Sequence, residues 1–169
     1  MNRDKLFFII QAILKNNAFT FGIKLRYWLY KPFFKKFGKN VQIKDGVTFK
    51  YPSDIEIGNN VIIGEYCYFV GKNGLKIGNY VLIGAGSKII TSNHNYSDIS
   101  KSIYEQGLNF KKVEIESNVW LGFDVKVLSG SKINYGTIVA TNSVVNSEFE
   151  ENNIIIGGTP AQKIKKIHD

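Results

Sequence analysis

The length, composition and charge of the sequence limit the kinds of protein it can encode. Its 169 residues, 44% hydrophobic and 21% charged, suit one soluble globular domain and do not indicate a disordered chain. No apolar run is long enough to span a bilayer and no signal peptide is visible. The single cysteine excludes an internal disulfide, so we expect a reducing cytoplasm. The net charge of +8 suits nucleic acid, acidic lipid or a phosphorylated ligand without choosing among them.

Residues 1–40 have a different pattern from the rest of the chain. Apolar residues between positions 6 and 14 predict a helix that ends near Asn16 and Asn17, and residues 23–30 predict a second helix that stops before Pro32. Two interpretations of this helical segment stay open. In the first, the segment caps the end of the structure that follows. In the second, it contacts the inner face of a membrane, because aromatic and basic side chains mix between positions 24 and 36.

From Val41 onward the sequence repeats. Residues 55–61, 75–81 and 113–119 align with one another, and apolar residues recur at intervals of six: Ile57, Ile63, Phe69; Ile77, Ile83, Ile89; Ile115, Leu121, Val127; Ile133, Val139, Val145. Small or modest side chains follow four positions later: Val61, Cys67, Val81, Ser87, Val119, Val125, Ser131, Thr137, Ser143. This interval fits neither a helix nor an ordinary strand. It predicts an all-β solenoid over residues 41–157, in which three short strands and three corners make a coil of eighteen residues.

The repeat is interrupted twice. Two extra residues between Ile57 and Ile77 predict a bulge at 71–74, and about one extra coil of sequence before Ile115 predicts a projecting loop at 93–112. Insertions in solenoids commonly fall on the functional face, so we expect the chemistry at this loop. Residues 158–169 form a basic tail.

Three motifs carry a resemblance to a known family. They are the repeated Ile-Gly-x-x-Val, the segment Asn-Val-Trp-Leu-Gly at 118–122, and the ending Gly-Gly-Thr-Pro-Ala at 157–161. Over residues 41–167 the chain resembles the hexapeptide-repeat acyltransferases, especially the maltose and galactoside O-acetyltransferases and those of polysaccharide synthesis. The resemblance implies a left-handed parallel β-helix, acetyl-CoA as donor and a saccharide acceptor. It also implies a homotrimer with sites between neighbouring prisms.

His94 is the candidate catalytic residue. It follows Ile89, the last inward aliphatic residue of its coil, and stands at the root of the predicted loop. Similar enzymes have their catalytic histidine at this place in the repeat. A sugar hydroxyl is a poor nucleophile that needs a base, and imidazole exchanges a proton near neutral pH. The resemblance therefore implies direct transfer, in which His94 takes the hydroxyl proton while the oxygen attacks the thioester.

The resemblance also implies a donor site. In similar enzymes the pantetheine arm lies in the groove between two prisms, and basic residues of the tail meet the phosphates of the cofactor. The matching groove positions are Trp120, Phe123, Thr141, Asn146 and Ser147, and the matching bases are Lys163, Lys165 and Lys166. Trp120 either lines the groove or packs a corner, and the tail either binds phosphate or is only solvated.

The acceptor side departs from the family pattern. Asn93 and Tyr96, beside His94, are expected contacts. The galactoside enzymes hold the acceptor with an asparagine in the coil before the catalytic histidine. The matching place here falls near Glu65 and Tyr66, which we expect to substitute for it. The acceptor is therefore expected to differ, and N-acetylation of an amino sugar stays open.

Two further residues are expected to be inert. His168 lies in the charged tail, and two histidines exclude a three-histidine zinc site within one chain, so no metal is expected. Cys67 occupies a corner position of the repeat and should be buried and unreactive. The alternatives to an enzyme are a basic solenoid that binds nucleic acid or lipid and a purely structural scaffold. No nucleic-acid motif supports the first, and the placement of His94 argues against the second.

Overall fold

A computed structural model describes residues 3–168, which form two N-terminal helices and a parallel β-solenoid of about six turns. Helix α1 is Arg3–Leu14 and helix α2 is Thr20–Tyr30, followed by a single 3-10 turn at Lys31–Phe33. The solenoid has three sides because the short strands repeat in three parallel sheets. Neither helix in the described range is long and apolar enough to cross a membrane.

Each side of the solenoid is one sheet whose neighbouring strands come from successive coils. The first side comprises β1 (Lys36–Phe37), β4 (Ile55–Ile57), β7 (Leu75–Ile77), β12 (Val113–Ile115), β15 (Lys132–Ile133) and β18 (Glu148–Phe149). The second comprises β2 (Gln42–Ile43), β5 (Ile62–Ile63), β8 (Leu82–Ile83), β13 (Trp120–Leu121), β16 (Ile138–Val139), β19 (Ile154–Gly158) and β20 (Ala161–Lys166). The third comprises β3 (Thr48–Lys50), β6 (Tyr68–Val70), β9 (Lys88–Ile90), β14 (Lys126–Val127) and β17 (Val144–Val145). A separate hairpin joins β10 (Ser92–His94) to β11 (Leu108–Phe110).

The core of the prism consists of the residues spaced by six, and the predicted solenoid is confirmed. Every one of these side chains from Ile57 to Val145 is buried, and so are the small side chains at the corners. Phe49 and Phe69 stack inside the first two coils with ring centroids 4.7 Å apart. The core is thus continuous along the axis, and each coil depends on its neighbours for burial.

The corners bring successive coils close together. At Gly84, an added Cβ would lie 2.5 Å from the carbonyl carbon and oxygen of Gly122 in the next coil, so only glycine fits. Buried Ser87 ties the same two coils by donating to the Gly122 carbonyl at 3.2 Å and accepting from the Val125 amide at 3.2 Å. The repeated glycines and small residues therefore reflect the distance between coils.

A column of alternating charge runs along the outside of the first side. Strand pairing places six residues next to one another in this order: Lys36, Glu56, Lys76, Glu114, Lys132, Glu148. Opposite charges on paired strands are favourable and like charges are not. Each side chain in the column has only opposite charges as neighbours, so the column supports the register of the coils.

The N-terminal helices close the first end of the prism. Gln11 on α1 donates to the Phe49 carbonyl at 3.3 Å and accepts from the Phe49 amide at 2.7 Å, as a neighbouring strand would. The fully buried Arg26 on α2 donates to the carbonyls of Ile43, Leu14 and Asn17 at 2.8, 3.0 and 2.8 Å. These contacts satisfy polar groups at the exposed end of the first coil and at the end of α1.

The structure places two boundaries differently from the sequence analysis. The ladder begins at Lys36 rather than Val41, because Phe37 and Gly38 already have the pattern of an apolar residue followed by glycine and pair with the next coil. The residues expected to form a basic tail from 158 onward include β20, which runs antiparallel to β19. The predicted bulge at 71–74 is confirmed as a turn with positive φ at Asn73 and Gly74.

We predict that Gln11→Leu destabilises the protein by about 1–3 kcal/mol, because it leaves a buried amide and carbonyl of Phe49 without partners. Equilibrium urea unfolding measures the change. The matched control Gln42→Leu alters an exposed glutamine and should shift the unfolding free energy by less than about 0.5 kcal/mol. Equal effects of the two substitutions would contradict the role given to Gln11.

Candidate functional site

The inserted loop leaves the prism at the edge between the third and first sides. We call this the third–first edge; it also contains residues 128–131 and 146–147 of the later coils. Thr91 anchors the loop. Its hydroxyl shares one proton between the carbonyl oxygens of Val70 and Lys72, at 3.0 and 2.7 Å, and its carbonyl accepts from the Lys111 amide at 2.9 Å. The two ends of the loop are therefore fixed to the coils.

The loop holds its shape through amide side chains. Asn109 donates to the Asn95 side-chain oxygen at 2.8 Å, and Asn95 donates to the Gln106 carbonyl at 2.9 Å. Gln106 in turn donates to the Asp98 carbonyl and accepts from the Asp98 amide, both at 3.0 Å. The antiparallel pairing of β10 with β11 completes this network. The sequence analysis predicted the loop but missed this hairpin and its amide network.

His94 ends β10 and lines a pocket of about 260 Å³. The other lining residues are polar or aromatic: Asn93, Asn95, Tyr96, Ser97, Asn109, Lys111 and Ser129. No carboxylate lines this pocket, and within residues 3–168 no side chain is hydrogen-bonded to the imidazole ring. The arrangement offers a polyhydroxylated ligand several amide groups beside one imidazole.

The structure brings some of the predicted site residues together at this edge. Asn93 and Tyr96 share the pocket of His94, as the sequence analysis expected of acceptor contacts. Asn146 lines an adjacent cavity of about 400 Å³, which shares Lys111 and Ser129 with the pocket of His94. Ser147 follows Asn146 at the same edge and is exposed. The sequence analysis missed Lys111 and Ser129 as pocket residues. Lys111 lies at the end of the loop and Ser129 in the next coil, and only the pairing of strands shows that both are close to His94.

The remaining predicted groove residues lie elsewhere on the chain. Phe123 and Thr141 are exposed at the edge between the second and third sides, where the Phe123 carbonyl accepts from the Asn142 amide at 2.9 Å. Glu65 and Tyr66 belong to the same edge, and Trp120 points outward from the second side. The third side separates these residues from His94 in one chain.

The predicted phosphate-binding lysines lie on β20. Both carboxylate oxygens of Glu151 accept from the Lys163 amine, at 2.8 and 2.6 Å, and this contact lowers the pKa of Glu151. The pair is solvent-exposed, and such pairs contribute little stability, so a phosphate can compete for the amine. Lys165 is also exposed, on the same strand. His168 is exposed and follows this strand, which belongs to the second side of the prism.

Cys67 is fully buried, as its repeat position predicted. Its thiol donates to the Gly84 carbonyl at 3.3 Å, and burial raises the pKa of the thiol to about 12. A thiol with this pKa carries almost no thiolate at neutral pH. Within residues 3–168 there is also no group of three His, Cys, Asp or Glu side chains that could hold a metal ion.

We predict that a thiol reagent labels Cys67 at least about 10³-fold more slowly in the folded protein than in urea, because labelling needs both unfolding and deprotonation. Mass spectrometry of the labelled chain measures the rate without ambiguity, since Cys67 is the one cysteine in the sequence. Fast stoichiometric labelling of the folded protein would contradict the burial of this residue.

Comparison with known proteins places these features in a family. No protein-family model matches the sequence. The chain is 33% identical over 157 residues to the putative lipopolysaccharide biosynthesis O-acetyl transferase WbbJ of Escherichia coli (strain K12), covering 88% of this chain and 68% of that protein. It is 36% identical over 72 residues to the galactoside O-acetyltransferase of Lactococcus lactis, covering 42% and 34% of the two chains.

A solved structure gives the same fold. The hexapeptide-repeat acetyltransferase of Vibrio cholerae, crystallised with acetyl coenzyme A, matches with a TM-score of 0.86 over 99% of this chain and 88% of that one, at 24% sequence identity. The chain belongs to the hexapeptide-repeat acetyltransferases. It is an acyltransferase built on a parallel β-solenoid, which the repeats predicted, of the left-handed type that the family resemblance implied.

Proposed function

We propose that this protein transfers the acetyl group of acetyl-CoA to a hydroxyl group of a saccharide, with His94 as the general base. The observation that carries this proposal is the position of His94, at the root of the one long insertion and in a pocket rich in amide groups. Amide side chains both donate and accept, which suits the hydroxyl groups of a sugar. The saccharide names of the O-acetyltransferase relatives support the same substrate class.

The proposed reaction is a direct transfer. The imidazole of His94 takes the proton of the acceptor hydroxyl while the oxygen attacks the thioester carbonyl. The carbon–sulfur bond then breaks, the acetyl group stays on the oxygen, and coenzyme A leaves as its thiol with the proton returned from His94. Cys67 is buried, so the proposed transfer does not pass through an acyl-cysteine intermediate.

The donor would bind between two copies of the chain. His94, Asn146 and Ser147 lie at the third–first edge, whereas Phe123 and Thr141 lie at the other edge of the third side. In a neighbouring copy, Phe123 and Thr141 lie at the edge between the second and third sides. If that edge of the neighbour packs against the third–first edge of the first copy, the two edges together form a groove. We propose a homotrimer, as the family resemblance implies, because a repeated contact between two different edges closes into a ring when the rotation between copies allows it. Lys163 and Lys165 would then meet the phosphates of the donor.

The proposed setting is the synthesis of a cell-surface polysaccharide. The lipopolysaccharide relative supports this role. The donor is an intracellular metabolite, so we place the protein in the cytoplasm, where a saccharide carried on a lipid would be reached at the inner face of the membrane. The acceptor contacts proposed at His94 are Asn93 and Tyr96, with Glu65 and Tyr66 contributed across the subunit contact.

We predict that His94→Ala lowers kcat about 10²–10⁴-fold, the usual contribution of a positioned general base, and leaves acetyl-CoA binding unchanged. Thiol release with a panel of sugar acceptors measures the rate, and calorimetric titration of acetyl-CoA measures donor binding. The control His168→Ala should keep full activity. Full activity of His94→Ala would remove the assigned base, and wild-type protein that binds no acetyl-CoA would remove the proposed reaction altogether.

The same assay separates O-transfer from N-transfer. An acceptor panel that pairs each sugar with its amino derivative should give products whose acetyl group survives mild acid and is removed by mild alkali, as an ester is. An alkali-stable product formed only on amino sugars would assign N-acetylation instead.

A further inference from the structure

Both N-terminal helices have an apolar stripe on the side that faces away from the prism. On α1, Leu6, Ile9 and Ile13 lie at three- and four-residue spacing and are 37%, 50% and 72% exposed. These three are opposite to Gln11, which bonds to Phe49 of the first coil, and to Phe7, which packs on Phe33 of the 3-10 turn. A helix that only capped the prism would need polar residues at these outward positions.

Helix α2 repeats the pattern. Phe21 and Trp28 are 65% and 67% exposed, and the half-buried Leu25 lies between them at helical spacing. The inner face of this helix is occupied by Gly22, Arg26 and Tyr30, which are buried. Beside the outward stripe, a groove of about 620 Å³ separates α2 from the first coil and is lined mainly by apolar and basic side chains, including Ile23, Lys24 and Trp28.

The net charge of the protein is concentrated in the same region. Residues 1–44 contain ten Lys and Arg against one acidic residue, Asp4, whereas residues 45–169 contain twelve bases and thirteen acids. The first quarter of the chain therefore carries more than the whole net charge of +8. Exposed bases flank the stripes directly, with Lys5 on α1 and Lys24 on α2.

We propose that the outward faces of α1 and α2 bind the surface of an anionic lipid bilayer, with the apolar stripes inserted among the headgroups and the bases against lipid phosphates. Interfacial helices combine these features: an apolar face, basic residues on its flanks and too little length or hydrophobicity to span. A negatively charged leaflet attracts each nearby base and holds the apolar side chains at the interface. This contact is independent of the acetyl transfer proposed above.

Two other occupants fit the observations less well. A second copy of the chain would bring two strongly basic segments together, which is unfavourable in charge. A nucleic acid would satisfy the bases, but it offers nothing to the aliphatic side chains of Leu6, Ile9 and Ile13. A bilayer complements both the charge and the apolar stripes.

Sedimentation with vesicles tests the proposal. The full-length protein should bind phosphatidylglycerol vesicles, bind phosphatidylcholine vesicles weakly, and lose binding as salt is raised. Ile9→Ser with Ile13→Ser should weaken binding about tenfold or more, because two apolar side chains no longer leave water. The matched control, Ile99→Ser with Ile103→Ser, changes two exposed isoleucines of the inserted loop and should bind as wild type does.

The basic residues have their own pair of variants. Lys5→Gln with Lys24→Gln should weaken binding about tenfold or more, at roughly 1 kcal/mol for each base near the surface. Lys72→Gln with Lys88→Gln removes two exposed bases outside the helical segment and should have no effect. All these positions are exposed, and circular dichroism checks that each variant is folded.

Fluorescence of Trp28 reports insertion directly. The sequence has two tryptophans, so Trp120→Phe leaves Trp28 as the one reporter. Its emission should shift to the blue on phosphatidylglycerol vesicles and be quenched by lipids brominated on the acyl chains. Absence of vesicle binding at low salt would overturn the proposal. So would binding without quenching, stripe variants that change the oligomeric mass instead of lipid affinity, or tighter binding to random DNA than to vesicles.

Discussion

Hydrogen bonding between successive coils is the constraint on which the rest of this structure depends. Each strand pairs in parallel with the strand one coil away, as Ile55 and Ile57 of β4 pair with Leu75 and Ile77 of β7. Backbone groups must find partners at every step, so extra residues cannot be accommodated within a side and have to leave at a corner. The long insertion does so after β9, and Thr91 closes its root. His94 therefore stands in a hydrogen-bonded hairpin whose two ends are tied to the coils.

The same constraint leaves a problem at each end, where a coil has no neighbour. At the first end Gln11 takes the place of a strand for Phe49, and the helices cover the core. At the other end β20 folds back antiparallel on β19 and so pairs the last strand of the second side. An exposed ladder edge invites pairing with other chains, and these two devices cover that edge at Phe49 and at β19. Covering the core requires only one apolar face of each helix. The second apolar face of α1 and α2 is therefore not explained by the cap, and we infer that it contacts another partner.

Much of the fold could be predicted because the inward positions depend on local spacing alone. Intervals of six identified the core from Ile57 to Val145, and the breaks in that interval located the bulge and the loop. Features that depend on which residues pair across coils were missed, including the charge column from Lys36 to Glu148 and the start of the ladder at Lys36. The site was predicted in part for the same reason. The candidate base His94 was chosen from its place in the repeat and from the family resemblance, whereas Lys111 and Ser129 join its pocket only through pairing between coils.

The central claim is that one chain holds only half of the site, with His94, Asn146 and Ser147 on one edge and Phe123 and Thr141 on another. Assemblies that contain two different variants test this claim. One chain carries His94→Ala, and the other carries Thr141→Trp, whose larger side chain fills the groove. The two chains are coexpressed with different tags, and assemblies that contain both are purified through both tags. Each variant alone should be inactive. We expect the mixed assembly to regain a substantial part of the wild-type rate, because some contacts then pair an intact His94 with an intact groove. An inactive mixed assembly, or an active Thr141→Trp protein, would contradict a site shared between neighbouring chains.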